Sequence, residues 1–155
     1  MKSLRLQEKW PSLIVFLLIC FAVFSFGGLF RPGDWYLALN RAPWSPPNIA
    51  FPIVWTFLYV FIAIVGWQIY HRGNSSLRTL WALQLILNGL WSWVFFGQHW
   101  VVVALLNIVF LDILVINLIL KARRAELKIA SLLLIPYIVW LLLATSLNTY
   151  IALAN

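Results

Sequence analysis

Charge is what this chain has least of. Its 155 residues include 11 Lys and Arg and 4 Asp and Glu, where a soluble domain of this size carries roughly 35 to 40 such side chains. A water-facing surface cannot be built from so few. With 64% of the residues hydrophobic, the composition excludes a disordered chain, a secreted disulfide module and a soluble nucleotide-binding enzyme. Cysteine is scarce too: Cys20 stands alone, so no intramolecular disulfide forms. Also missing are a Cys/His metal cluster, a GxSxG turn, a glycine-rich phosphate loop and a pair of carboxylates placed for acid–base work. Neither a metal site nor a firm catalytic residue is expected.

What the chain does have is long apolar runs. Residues 13–30, 48–70, 79–96, 100–120 and 129–152 are free or nearly free of charge. Each can cross about 30 Å of hydrocarbon as a helix rising 1.5 Å per residue. In lipid only helices or closed barrels satisfy every backbone group, and these runs lack the alternation of barrel strands. The expectation is an all-α integral membrane protein whose five transmembrane helices form a single bundle and a single domain over 1–155. Lys2, Arg5 and Lys9 before the first run, and Ser25, Phe26 and Gly27 near its end, also fit a signal peptide. Continuation of the run through Phe30 favours a retained helix.

Five spans sort the cations. Lys2, Arg5, Lys9, Arg72, Arg78, Lys121, Arg123, Arg124 and Lys128 fall on one side, Arg31 and Arg41 on the other. The positive-inside rule then predicts a multi-pass protein with its N-terminus inside and its C-terminus outside, in the cell membrane if the source is bacterial. The net charge of +7 is read as topology and not as nucleic-acid binding. His71 and His99 end on opposite faces, about 30 Å apart, which excludes a bis-His haem site within one subunit.

The first loop, 31–47, is long and holds Pro32, Pro43, Pro46 and Pro47 beside Trp35, Tyr36 and Trp44. Prolines stiffen its path and the rings give it something to pack on, so it is expected to cap one end of the bundle; an interfacial aromatic belt is the other reading of Trp35. Within the spans, Phe51, Trp55 and Tyr59 share one helical face, as do Gln84, Asn88, Trp91, Ser92 and Phe95, and Tyr137, Trp140, Ala144 and Asn148. Polar side chains in lipid point inward, so the three stripes are expected to converge on an apolar cavity suited to a flat conjugated ligand. The alternative is that the amides join helices and the rings are core. Asp112, the one carboxylate inside a span, has no Lys or Arg at i±3 or i±4; such a group is a functional candidate by default.

These residues also carry a resemblance. Trp35-Tyr36, Leu39, Pro43-Trp44, Pro46-Pro47, Phe51, Trp55 and Leu58-Tyr59, then Leu83-Gln84-Leu85, Asn88, Trp91-Ser92 and Phe95-Phe96, then Pro136-Tyr137, Trp140, Ala144 and Leu147-Asn148 resemble the tryptophan-rich sensory protein or translocator protein family (TspO/MBR, the peripheral-type benzodiazepine receptor family) over nearly the whole chain. The resemblance implies a homodimeric five-helix bundle that binds porphyrins such as protoporphyrin IX and haem, with cholesterol and benzodiazepine-type drugs as further ligands in some members. It places the ligand pocket under the first loop. Trp55 and Asn88 would hydrogen-bond the ligand, Trp140 would close the pocket opposite Trp55, and Pro46, Phe51, Tyr59, Trp91, Ser92 and Ala144 would line it; Trp44 and Asn148 complete the expected ligand-binding set. Some members resemble light-dependent porphyrin-degrading proteins, which makes Trp55 and Trp140 the catalytic candidates if the protein is an enzyme.

Two departures stand out. Tyr150 is followed only by Ile151 to Asn155, with no Lys or Arg, so the sterol motif of animal members is incomplete. Asn107 stands where several relatives have an acidic residue, and Asp112 lies five positions on. The expected function is a membrane-embedded tetrapyrrole-binding protein with a sensory or regulatory role, or one in porphyrin transport or photo-degradation. No obligatory cofactor is expected; the partners are the tetrapyrrole, membrane lipid and a second copy of the chain, without nucleic acid. A small transporter of porphyrin or sterol-like ligands is the alternative, although five spans show no inverted repeat. A purely structural membrane subunit is a third reading.

Overall fold

A computed structural model describes residues 10–155; Lys2, Arg5 and Lys9, which entered the charge count, lie outside the described residues. Six helices follow in order: α1 (Trp10–Gly28), the short α2 (Asp34–Ala38), α3 (Ala50–Arg72), α4 (Ser75–Ser92), α5 (Val101–Arg124) and α6 (Lys128–Ala154). α4 continues through one π-helical turn, Trp93–Gly97. All but α2 are long and apolar enough to span a membrane, and no strand occurs among the described residues. The protein is an all-α, multi-pass integral membrane protein.

The helices start and stop where local chemistry allows, not where charge begins. α4 opens at Ser75, four residues before the expected start, because the Asn74 side chain accepts the Leu77 N–H at 3.0 Å and caps the helix. Arg78, inside that first turn, donates to the carbonyls of Tyr70 (3.0 Å) and Gly73 (3.3 Å) across the hairpin. α5 runs on through Lys121, Arg123 and Arg124, where cations complement the negative helix end. Leu127 N–H then bonds Ala122 O (2.9 Å) and Glu126 N–H bonds Arg123 O (3.1 Å). This Schellman closure puts Glu126 at φ 57°, in the left-handed region that favours glycine.

α1 packs on α3 and α4, α4 on α5, α5 on α6, and α6 back on α3, closing a ring of five. α1 joins through rings: Phe16 meets Trp81 at 5.4 Å and Phe24 meets Tyr59 at 5.2 Å. Gly66 lets α3 and α4 close up, since a Cβ there would overlap the Trp81 ring; Trp81 Nε1 donates to Ile62 O at 2.9 Å in the same contact. Inside the ring Ile62, Ala63, Val65, Val115, Leu118 and Tyr137 are wholly buried. Outside it a belt of Leu, Ile, Val and Phe is exposed, an area too apolar to face water. Polar groups on that belt bond their own helix: Asn117 Nδ2 reaches Ile113 O (2.8 Å) and Thr56 Oγ1 reaches Pro52 O (2.7 Å).

Glu126→Gly is expected to raise the thermal unfolding midpoint in detergent. A non-glycine residue in the left-handed region costs about 1–2 kcal/mol. The Glu126–Lys128 ion pair lost with it is 3.6 Å long between side chains 76% and 84% exposed, and such pairs contribute little. A lowered midpoint would show that the ion pair outweighs the backbone strain.

Candidate ligand site

A tyrosine hub holds the centre. Tyr59 on α3 donates its hydroxyl to Asn88 Oδ1 (2.9 Å) on α4. Asn88 Nδ2 donates to the Tyr137 hydroxyl (2.6 Å) on α6, which donates in turn to Gln84 Oε1 (2.9 Å). All four residues are buried. A second amide works nearer the loop end: Trp91 Nε1 donates to Asn148 Oδ1 (3.2 Å), and Asn148 Nδ2 donates to Val101 O (3.0 Å). The amides of the three stripes therefore join α3, α4, α5 and α6. Asn88 uses its carbonyl and one amide proton on protein partners.

The large rings are organised differently. Phe51 meets Trp140 edge-on at 5.5 Å, while Trp55 meets Tyr59 at 5.8 Å and Tyr137 at 6.4 Å. No ring contact joins Trp55 to Trp140 among the described residues. Trp140 Nε1 is buried and has no acceptor among the described residues, and the half-buried Trp55 meets rings and the apolar core, with no hydrogen bond among the described residues. Ala144 packs on the buried core. Ser92 lies elsewhere: its Oγ is 3.3 Å from where a Gly27 Cβ would sit, against α1.

The first loop caps this end of the bundle. On the α4 side Trp35 and Tyr36 pack on Phe95 at 5.8 and 6.2 Å, Tyr36 on Phe96 at 5.4 Å, and Trp35 stacks on His99 at 4.0 Å. On the α6 side Trp44 Nε1 donates to Ser146 Oγ (3.1 Å), and its ring meets Tyr150 at 5.4 Å. Asn40 and Asn155 clamp each other: Asn40 N–H donates to Asn155 Oδ1 (2.9 Å), Asn155 Nδ2 donates to Asn40 O (3.2 Å), and Asn40 Nδ2 donates to Ala154 O (3.2 Å). Between loop and α6 lies a cavity of about 740 Å³, lined by residues 39–42 and 45–48 with Tyr150 and Ala154.

The structure thus joins Trp55, Asn88 and, through Asn88, Tyr59 to Tyr137, pairs Phe51 with Trp140, links Trp91 to Asn148, and leaves Trp44 and Pro46 at the mouth. Of the expected ligand-binding set, Pro46 alone lines the 740 Å³ cavity. Asp112 accepts from Thr145 Oγ1 at 2.8 Å in the α5–α6 seam, and its Oδ1 is buried without a partner. Gln84 and Tyr137 lie on the recognised stripes, yet their hub role is visible only once three helices meet. The Asn40–Asn155 clamp has no local signal at all, because it joins residues 115 positions apart.

Tyr137→Phe leaves Asn88 Nδ2 and Gln84 Oε1 without the hydroxyl they share. The expected loss is about 1–2 kcal/mol, read as a lower unfolding midpoint in detergent. Tyr59→Phe, which orphans one atom, lowers it less; a midpoint for Tyr137→Phe at or above wild type would show that the hub does not stabilise the bundle.

Comparison with known proteins agrees with the residue motifs. The tryptophan-rich sensory protein of Cereibacter sphaeroides is 31% identical over 144 residues, covering 92% of this chain and 90% of that protein. The tryptophan-rich protein TspO of Archaeoglobus fulgidus is 39% identical over 124 residues, covering 78% and 80%. The translocator protein of Bos taurus is 27% identical over 152 residues, covering 92% and 89%. The sequence profile of the TspO/MBR family matches residues 16–154, and this chain belongs to that family.

Proposed function

We propose that this protein binds a tetrapyrrole, protoporphyrin IX or haem, inside the bundle beneath the first loop, and serves a sensory or regulatory role through that binding. The observation that carries the reading is the Trp140 indole: its N–H is buried with no acceptor, on a wall of rings formed by Phe51, Trp55 and Tyr137. A buried donor without a partner is costly, and a ligand nitrogen or oxygen lying on this wall removes that cost. Flat aromatic surface from two helices suits a flat conjugated ring, whose faces stack and whose edge holds the polar atoms.

The motifs on which the family resemblance rests support the same reading, because they include the wall residues. The hub fixes the spacing of α3 and α6, so Asn88, Tyr59, Trp91 and Asn148 act by holding the wall in place. Arg72, Arg78, Lys121, Arg123, Arg124 and Lys128 cluster at the end away from the loop, and the positive-inside rule puts that end in the cytoplasm and the capped mouth outside.

Titrating the purified protein with protoporphyrin IX is expected to quench tryptophan fluorescence saturably. Trp55→Phe with Trp140→Phe keeps rings but removes both indole donors, and should weaken binding by about 2 kcal/mol, roughly 30-fold. Undiminished affinity in the double variant would remove these residues from the site. Absence of saturable quenching in the wild type would remove the tetrapyrrole reading itself.

A further inference from the structure

We infer that the cavity under the first loop is an anion-recognition vestibule in which Arg41 engages the edge carboxylates of the ligand, so that the protein selects acidic tetrapyrroles over neutral ones. This rests on the tetrapyrrole reading above and adds the chemical form of ligand that is taken.

In a protein with so few charges, the vestibule is polar: Arg41, Asn40, Ser45 and Asn48 line it together with Pro46 and Tyr150. Arg31 and Arg41 are the cations of this end. Arg31 turns back, donating Nε to Gly28 O at 3.3 Å. Arg41 forms no ion pair among the described residues; its guanidinium stands over the Tyr36 ring at 5.6 Å. A guanidinium held near a ring still has N–H donors for an oxyanion, and Arg can hold a carboxylate with two parallel hydrogen bonds. The neighbouring backbone is fixed, since Asn40 is clamped to Asn155 and Ala154 by three hydrogen bonds. Asn48 lines the vestibule, and Phe51, three residues further along the chain, meets Trp140 on the aromatic wall. A ring seated on the wall with its acidic edge toward the mouth would meet an arginine that has no carboxylate partner among the described residues.

The experiment compares protoporphyrin IX with its neutral dimethyl ester, each titrated by tryptophan quenching against wild type, Arg41→Gln and Arg41→Lys in phosphatidylcholine nanodiscs. Wild type should prefer the diacid. Arg41→Gln should bind the diacid about tenfold more weakly, as expected for one partly screened charge-assisted contact, and bind the ester unchanged. Arg41→Lys, which keeps the charge, should retain most of the preference, and unfolding midpoints confirm that the loop clamp is intact. Added salt should weaken diacid binding in wild type and leave it unaffected in Arg41→Gln. Equal affinities for diacid and ester in wild type, or an equal loss of both in Arg41→Gln, would overturn the vestibule and leave tetrapyrrole binding standing. If neither compound quenches wild type, the tetrapyrrole reading fails and takes this inference with it. A diacid preference abolished by including phosphatidylglycerol would assign Arg41 to lipid phosphate and overturn the inference as well.

Discussion

Inside hydrocarbon a polar group has only protein to bond with, and this one constraint organises the molecule. It requires the backbone to be helical, turns Asn117 and Thr56 on the lipid face back onto their own helices, and draws the remaining amides into the ring. The Tyr137 hydroxyl is where it acts most strongly, accepting from α4 and donating back to α4 from its place on α6, while Asn88 brings in Tyr59 of α3. Hydrophobic attraction between helices is weak when the solvent is itself apolar, so packing and such interhelical bonds set how the helices sit against one another. The positions of Phe51, Trp55 and Trp140 follow from that hub, because they are carried on the helices it joins.

The same constraint separates two kinds of residue that share each stripe. Asn88 and Asn148, and Gln84 through its carbonyl, have partners across helices and act as structure, although Gln84 Nε2 is buried without one; among the described residues Trp55 and Trp140 have ring contacts but no acceptor for their indoles. The distinction is physical: an amide in lipid has little apolar surface and depends on hydrogen bonds, whereas most of a large ring is stabilised by apolar contact. Asp112 follows the amide pattern in the α5–α6 seam, where Thr145 supplies one donor and no cation approaches it among the described residues.

Much of the fold was legible in the sequence because the strongest signal, a run of apolar residues of membrane length, needs no tertiary information. The ends were less so. Charge marks where a span meets water, not where a helix stops, so Arg78 and Lys121 lie inside helices that a cap at Asn74 and a left-handed Glu126 terminate instead. α2 was missed because five residues over one turn give no periodicity to read. The rings and amides of the site were recognisable by helical spacing; their division of labour was not, since spacing gives the face and not the partner across it. Asn40 escaped notice for the same reason: its partners are at the end of α6, more than a hundred positions away.

The loop that closes this end is fastened unequally. Its α4 edge is held by stacked rings, Trp35 on His99 and Phe95 and Tyr36 on Phe96, on top of a π-helical turn and a left-handed His99 at φ 58°, local distortions that persist only where surrounding contacts enforce them. Its α6 edge is held by hydrogen bonds from Asn40 and Trp44, largely exposed, where water competes and each bond contributes only about 0.5–1.5 kcal/mol. Burial of aromatic surface does not suffer that competition, so the α4 edge is the firmer of the two. The cavity of about 740 Å³ lies along the weaker edge, lined by Tyr150 and Ala154 of α6. Polar fastening and polar lining thus coincide on one side of the mouth.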